Sequence, residues 1–292
     1  MPKSMRILVL VVLLALPTLS FADIATTPLG GAVTANTMAN SLLSGGSGIT
    51  INSATYTGGN NASGLFSGGA SIIGIDTGII LSSGNVANVG GPYSFSFGGT
   101  SNGLAGSSAL DALLSGNTTN DASLLTIDFT PTGNNVAFTY VFGSAEYPQF
   151  VNSQFNDIFA FFVNGTNCAL IPGTSDVVSI NNVNAGKNSS FFVDNSAGAK
   201  STKMGGFTVP LSCTAKVNPG VSNTLVLAIA DTSDFILDSD VFIAGGSFSV
   251  CGGEGQPPCE GPPPTVPEPS SLLMLGTGIF GVAGVIRRKF PR

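Results

Sequence analysis

The chain has 292 residues, of which 43% are hydrophobic and only 9% are charged, and it contains 39 glycines but no histidine and no tryptophan. Such a composition is typical of a folded apolar core with many turns and excludes a disordered polymer. The lack of histidine excludes Ser-His-Asp and Cys-His catalytic sites and the common zinc-protease motif.

The charges are distributed unevenly along the chain. All 16 acidic residues lie between Asp23 and Glu268, and the basic residues in that interval are four lysines: Lys187, Lys200, Lys203 and Lys216. The central part of the chain is therefore strongly acidic. It would repel phosphate backbones, so nucleic-acid binding is not expected, and it would attract divalent cations wherever the acids cluster.

Residues 1–22 are predicted to form a secretory signal peptide. Lys3 and Arg6 give a positive start, 7–16 is an unbroken apolar run, and Ser20 and Ala22 supply small residues for cleavage. The run is too short for a convincing membrane span. Signal peptidase would therefore release a mature protein outside the cytoplasm; the alternative is a buried amino-terminal helix.

The next segments predict one short helix followed by β-strands. In the stretch 36–51, Met38, Leu42 and Leu43 are spaced as on one face of an amphipathic helix. Further along, β-branched and aromatic runs bounded by glycine, asparagine or proline predict strands. These runs are 78–84, 124–131, 135–143, 157–165, 206–217, 223–231 and 240–250.

The order of these elements decides the fold class. No helical pattern alternates with the strands, which argues against a parallel α/β fold. Several short strands separated by turns predict an all-β protein, an antiparallel β-sandwich or jelly roll. The domain would occupy 23–251, with a Pro/Gly-rich linker over 252–266.

Four cysteines are an even set for an exported chain and predict two disulfides, which can pair in three ways. We favour Cys168 with Cys213 and Cys251 with Cys259, because the second pair closes a small loop beside the linker. Zinc binding is the alternative, but the spacings contain no C-x2-C unit.

Two segments concentrate carboxylates between predicted strands. Oxygen ligands held by rigid strands suit Ca²⁺, which takes six to eight of them. The spacing does not match an EF-hand loop, and the alternative is that these acids cap turns and remain solvated. The candidate ligands are Glu146, Asp157, Asp231, Asp234, Asp238 and Asp240.

The carboxyl terminus has three parts: the triplet Pro267-Glu268-Pro269, an uncharged stretch over 270–286, and the basic cluster Arg287, Arg288 and Lys289. As a helix the stretch would span roughly 26 Å, close to the roughly 30 Å of a hydrocarbon core. It is predicted to be a transmembrane helix with the basic cluster on the cytoplasmic side. A plain single-span anchor is the alternative.

These three parts, in this order, resemble the PEP-CTERM sorting signal of Gram-negative bacteria. The resemblance implies processing by exosortase, a membrane transpeptidase. It also implies a protein held briefly in the inner membrane and then passed to the cell surface or extracellular matrix, in organisms that make exopolysaccharide.

The body of the chain resembles the choice-of-anchor L domain from about residue 36 to 248. The segments "GIDTGIILSSGNV", "FGSAEYPQFVNSQFNDIFAFFVNG" and "LVLAIADTSDFILDSDVFIAGGSF" carry the resemblance. It implies a bacterial surface domain. The chain departs from the family pattern at Ala145 and Gly205, where acids are common, and both departures weaken the expectation of a metal site.

Together these observations predict an exported, non-catalytic surface or matrix protein that adheres to, or associates with, extracellular polysaccharide in a biofilm. The alternative is a carboxylate-dependent glycan hydrolase or lyase with Glu146 and Asp157 as acid and base. A passive spacer that binds nothing specific is a third reading.

Overall fold

The computed structural model describes residues 23–94, 99–114 and 116–259. The predicted signal peptide, transmembrane helix, sorting triplet and basic cluster lie outside these residues. Within the described ranges, no helix is long and apolar enough to cross a membrane.

Two β-sheets form the described part of the chain, and every strand ladder in them is antiparallel. The larger sheet contains β1 (Ala25–Pro28), β3 (Ser63–Ser67), β4 (Gly78–Ser82), β6 (Asn135–Ser144), β10 (Phe192–Asp194), β11 (Gly206–Thr208), β12 (Leu211–Lys216), β14 (Ser239–Ala244) and β15 (Ser249–Val250). The smaller sheet contains β2 (Ile49–Thr57), β5 (Thr119–Pro131), β7 (Ile158–Val163), β8 (Thr166–Asn167), β9 (Val178–Ser179) and β13 (Asn223–Thr232). This confirms the predicted all-β sandwich.

The strand order places β6 and β13 at the centres of the two sheets. The larger sheet runs β1-β3-β4-β14-β6-β11-β10, with β12 and β15 also paired to β6. The smaller runs β2-β5-β13-β7-β8, with β9 paired to β7. Each central strand is hydrogen-bonded to neighbouring strands on both sides. Side chains at the ends of β6 and β13 are therefore held in defined positions.

The predicted amino-terminal helix is confirmed as α1 (Ala35–Ser41). The Thr34 hydroxyl caps it by accepting a hydrogen bond from the Thr37 backbone N–H at 3.1 Å, and Met38 and Leu42 are buried against the sandwich. The described chain also has two helical turns, α2 (Ala70–Ile73) and α3 (Ser108–Asp111), and 3₁₀ turns over Val86–Asn88 and Ser189–Phe191.

Each predicted strand run contains at least one observed strand, with two differences in detail. The run 206–217 is divided into β11 and β12 around Pro210, which has no backbone N–H for a ladder. The run 240–250 is divided into β14 and β15 by Gly245 and Gly246. The sequence did not predict the Ser/Thr-rich β2 or the short strands β1, β3, β8, β9 and β10, because they are too short or alternate too weakly.

The core lies between the inward faces of the sheets. Phe138, Tyr140 and Phe142 alternate inward along β6 and are buried. Phe138 packs edge-on against Phe161 of the opposite sheet, with ring centroids 4.5 Å apart. Full burial of such a side chain contributes about 1.5–3 kcal/mol.

Both disulfides have the pairing that we favoured. Cys168, directly after β8 in the smaller sheet, is bonded to Cys213 in β12 of the larger sheet, with Cα atoms 5.3 Å apart. Cys251 is bonded to Cys259, with Cα atoms 4.8 Å apart, and closes a loop beside β15. The first bond therefore joins the two sheets covalently, and the second fixes the end of the described chain.

Candidate functional site

All six predicted calcium ligands lie at one end of the sandwich, which we call the acidic end. It is formed where β4, β6 and β13 finish and where β5, β7 and β14 begin. In the strand register, Ser144 lies opposite Ser239, and Asp240 opposite Ser82. The topology therefore joins two acidic segments that are far apart in sequence: Glu146 and Asp157 in one, and Asp231, Asp234, Asp238 and Asp240 in the other.

Strand alternation divides these acids between two faces of the larger sheet. In β14, Val241 faces the smaller sheet and Phe242 faces the outer side, so Asp240 lies on the outer side. In β13, Ile229 faces the core, and Asp231 therefore points between the sheets. The six acids are close but do not share one centre.

Asp157 connects the two sheets. Its Oδ1 accepts a hydrogen bond from the Thr232 backbone N–H at 2.9 Å, and its Oδ2 accepts one from the Ser239 hydroxyl at 2.7 Å. Burial raises the pKa of Asp157 to about 7, although these two hydrogen bonds oppose the shift. Asp157 is thus a structural group that ties β14 to the smaller sheet.

Asp231 and Glu146 are buried with unsatisfied oxygens. Oε2 of Glu146 has no hydrogen-bond partner within the described chain, and neither oxygen of Asp231 has one of good geometry. Burial raises the pKa of Asp231 well above its usual value, and the Asp157 charge adds to this, although the Ser83 hydroxyl lies close enough to lower it. Burial, followed by the charge of Asp157, raises the pKa of Glu146 to about 9. A buried carboxylate without a partner must take up a proton or a cation.

Asp238 holds two surface loops together. Its carboxylate accepts backbone hydrogen bonds from Thr100 at 2.6 Å and from Asn85 at 3.3 Å. A Cβ atom on Gly84 would overlap this carboxylate, so the close approach requires glycine. Burial raises the pKa of Asp238 to about 6, while the two backbone donors lower it.

Asp121, which the sequence analysis did not single out, performs the same task on the neighbouring stretch. It accepts backbone hydrogen bonds from Asn102 at 2.7 Å and from Leu104 at 2.5 Å. Asp121 lies near the start of β5, directly after a loop. This position at the junction of a loop and a strand is the sequence signal that could have identified it. Together with Asp238 it fixes the backbone from Thr100 to Leu104.

A small cavity separates Asp238 from Asp240 on the outer side of the larger sheet. It measures about 10 Å³, room for one water-sized sphere. Asp240 is 5% exposed, and its Oδ1 has no hydrogen-bond partner in the described structure. Burial, and then the charge of Asp238, raises the pKa of Asp240 to about 8. The cavity is lined by Asn85, Asn88, Ala145, Lys203, Met204, Asp238 and Asp240.

A larger cleft opens at the surface of the same end and measures about 380 Å³. Its lining is uncharged and consists mainly of glycine, amide and hydroxyl groups: Gly58, Gly59, Asn60, Asn61, Asn85, Thr100, Asn102 and Leu104. Four of these residues donate backbone hydrogen bonds to the buried carboxylates of Asp238 and Asp121: Asn85, Thr100, Asn102 and Leu104. The buried carboxylates of Asp238 and Asp121 therefore hold the backbone of the cleft wall in place.

The arrangement differs from a single calcium centre with many carboxylates. In the part of the chain that the structure describes, no three aspartate, glutamate, cysteine or histidine side chains converge as metal ligands would. The carboxylates of Asp157 and Asp121 each already accept two internal hydrogen bonds. Asp231, Asp240 and Glu146 retain unsatisfied oxygens.

Comparison with known families agrees with this architecture. The choice-of-anchor L domain matches residues 26–249. The chain belongs to the choice-of-anchor L family. The PEP-CTERM protein-sorting motif matches residues 265–289, which implies an exported, envelope-sorted protein that exosortase processes. No curated protein and no solved structure matches the chain.

The two departures of this choice-of-anchor L domain lie beside the acidic end. Ala145 lines the small cavity next to Asp238 and Asp240. Gly205 donates a backbone hydrogen bond to Ser144, and a Cβ atom there would collide with the carbonyl oxygen of Tyr147. An acid at position 205 would not fit this backbone, because any Cβ atom there would collide with Tyr147. At position 145, by contrast, the side chain lines the cavity that Asp238 and Asp240 also line.

Proposed function

We propose that this protein is a non-catalytic surface protein that exosortase sorts and that contacts neutral extracellular polysaccharide through the cleft at the acidic end. The observation that carries the proposal is the combination of the sorting motif at 265–289 with an uncharged amide-lined cleft on a rigid sandwich. Adhesion within a biofilm follows from such a contact.

The route of the chain supports an outward orientation of the cleft. Thr214 in β12 donates a hydrogen bond to the Cys259 carbonyl at 2.7 Å, and Thr214 lies opposite Ala137 near the start of β6. The acidic end is seven residues further along β6, roughly 23 Å away. The chain therefore leaves toward the sorting tail at the far end from the cleft.

The chemistry of the cleft supports a neutral glycan as the ligand. Amide groups both donate and accept hydrogen bonds, which suits the hydroxyl groups of sugars. Asn60 and Asn61 are exposed at its rim, and Leu104 supplies apolar surface. The acidic body would repel a polyanionic polysaccharide.

The geometry speaks against Glu146 and Asp157 as a hydrolytic pair. Glu146 is 1% exposed and Asp157 is 0% exposed, so a glycosidic bond in the cleft would not reach either carboxylate. Asp157 is also engaged by Thr232 and Ser239. A glycosidase needs both groups beside the bond that it cleaves, and a hydrolase therefore remains the less supported reading.

Binding of the purified exported protein to the host's own extracellular polysaccharide tests the ligand. We expect replacement of Asn60 and Asn61 by alanine to weaken binding roughly tenfold, because two exposed hydrogen-bonding groups are lost. Asn36→Ala on the exposed face of α1 is the matched control. Equal binding by all three proteins would contradict the cleft as the contact.

The sorting half of the proposal has its own experiment. Replacement of Pro267, Glu268 and Pro269 by alanine should leave the tail unprocessed and reduce release to the cell surface. Unchanged tail length and unchanged surface display would refute the role of exosortase while leaving the glycan experiment valid.

A further inference from the structure

We propose that the cavity between Asp238 and Asp240 binds one Ca²⁺ ion. The proposal goes beyond sorting and glycan contact, because it assigns a specific metal site with two carboxylates. It is narrower than the six-ligand site that the sequence predicted, and it leaves Asp157 and Asp231 on the other face of the sheet.

The first support is an unsatisfied oxygen that lines a space of the right size. Asp240 is almost fully buried, and its Oδ1 has no hydrogen-bond partner in the described structure. The adjoining cavity of about 10 Å³ accommodates one water-sized sphere. A buried charged oxygen beside such a space is costly unless a cation or a proton satisfies it.

The second support is the kind of atoms around the cavity. Asp238 and Asp240 offer carboxylate oxygens, and Asn85 and Asn88 offer amide oxygens; those of Asp238 and Asn85 also accept backbone hydrogen bonds. The Asn88 amide nitrogen donates to Thr100 at 2.8 Å, which leaves its oxygen on the other side of the amide. Carboxylate and amide oxygens are the ligands of hard cations, and calcium accepts irregular sets of them.

The size of the space selects calcium over magnesium. Mg²⁺ gives up its water reluctantly and usually keeps several water ligands. A cavity with room for one sphere cannot hold a hydrated magnesium ion. Ca²⁺ exchanges water for protein oxygens more readily, so it fits the closed site better.

The charge balance leaves a place for the ion. Lys203 also lines the cavity, but its ammonium is not among the charges that shift the pKa of Asp238 or Asp240. The other three lysines lie elsewhere: Lys187 pairs with Asp176 at 3.0 Å, Lys200 donates to the Ser71 carbonyl, and Lys216 lies opposite Asn135 at the other end of β6. With both carboxyl groups ionised, as metal ligands must be, the cavity carries an excess of negative charge.

Binding at this position would also stiffen the cleft. Asp238 holds the backbone of Asn85 and Thr100, and both residues line the cleft. An ion on Asp238 fixes that carboxylate, and with it the cleft wall. Calcium would therefore stabilise the conformation of the cleft wall without lying in the cleft.

The test compares thermal unfolding of the purified exported protein in excess calcium and in chelator, with calcium affinity measured by titration calorimetry. At about one hundred times the dissociation constant, we expect the melting temperature to rise by roughly 5–10 °C, and magnesium to have little effect. Identical melting temperatures together with no heat of binding would overturn the proposal.

Asp240→Asn locates the ion, because its effect changes sign with the metal. In chelator at about pH 9, where this carboxyl is ionised, it should raise the melting temperature by a few degrees, roughly, since an unsatisfied charge is removed. In calcium it should lower the affinity at least about tenfold. Asp128→Asn, whose carboxylate accepts hydrogen bonds from Ser53 and Thr224 on the other sheet, is the matched control. A wild-type calcium response in D240N would place the ion elsewhere and overturn the proposal.

The Lys203→Met substitution tests whether Ca²⁺ or the Lys203 ammonium neutralises the carboxylates of the cavity. The proposal expects tighter calcium binding when the competing ammonium is removed. If the wild-type protein ignores calcium and K203M is strongly destabilised in chelator, Lys203 is the cation of this cavity and the proposal is wrong.

Discussion

The two ends of the sandwich solve the same folding problem in opposite ways. At the apolar end, where β6 begins, Phe138, Phe248 and Phe129 pack edge to face, and the Cys251–Cys259 bond closes the exit loop. At the acidic end, buried carboxylates lie on both faces of the larger sheet, and several of their oxygens have no partner in the described chain. Aromatic packing and a disulfide close the apolar end, and the acidic end is suited to an added ion or ligand.

The apolar end mainly stabilises the domain, and the acidic end carries the candidate site. Apolar packing and disulfides supply stability that depends little on pH or on cations. Buried carboxylates respond to pH and to cations, because their charged form is costly in an apolar environment. We therefore expect perturbations of the two ends to differ in condition dependence as well as in size.

The largest expected effect comes from the apolar half. Replacing Cys168 and Cys213 by serine opens a link across 45 residues and should cost about 4 kcal/mol of unfolding free energy by the chain-entropy relation. Denaturant unfolding measures the loss. The same change at Cys251 and Cys259, separated by 8 residues, should cost about 2.5 kcal/mol.

If the two ends differ as described, the loss for each disulfide should be the same at pH 5 as at pH 7. A loss that depended strongly on pH or on calcium would show that the two ends are coupled.

Each buried acid at the acidic end should contribute a somewhat smaller effect, which follows pH in the presence of chelator. Burial raises the pKa values of Asp157 and Asp240 to about 7 and about 8, above the value of about 4 in an unfolded chain. The folded protein therefore binds more protons between those values, and its stability falls as pH rises. One such group costs about 3 kcal/mol between pH 5 and pH 7.

Melting temperatures measured across this pH range, with chelator and with calcium, check the sign. A stability that rises with pH in chelator would contradict the burial of these acids.

The smallest effect should come from removing the tie between the sheets. Ser239→Ala leaves one oxygen of Asp157 without its donor at 2.7 Å and should cost about 2 kcal/mol at pH 8. The cost should shrink at pH 5, where a protonated carboxyl needs this donor less. Ser249→Ala, in β15 at the apolar end, serves as the control. Equal losses at both pH values would assign Ser239 a packing role only.

Much of the fold was predictable because its signals are local. The alternation along β6, the aromatic run of β7 and the spacing of Met38 and Leu42 identified their elements directly. The cysteine pairing followed from the small loop between Cys251 and Cys259. Weakly alternating strands such as β1 and β3 were missed, since their pairing depends on partners distant in sequence.

The candidate site was predictable in composition but not in geometry. Clustering of Asp238 and Asp240 in the sequence was visible, and their position at a strand start was expected. Neither Asn88 nor Lys203 carries a signal in the sequence that relates it to Asp240, because only the packing of three separate segments brings them to one cavity. The division between inner and outer faces likewise depends on the register of β14.

The small loop at the end of the described chain has a mechanical consequence. A load applied beyond residue 259 bypasses the loop, since the Cys251–Cys259 bond passes the tension directly to the start of that loop beside β15. The Cys251 backbone N–H donates to the Asn135 carbonyl at 3.0 Å, so the pull reaches the first residue of the central strand. Drag on a surface-displayed molecule is thus borne by the sheet's best-supported strand, away from the cleft.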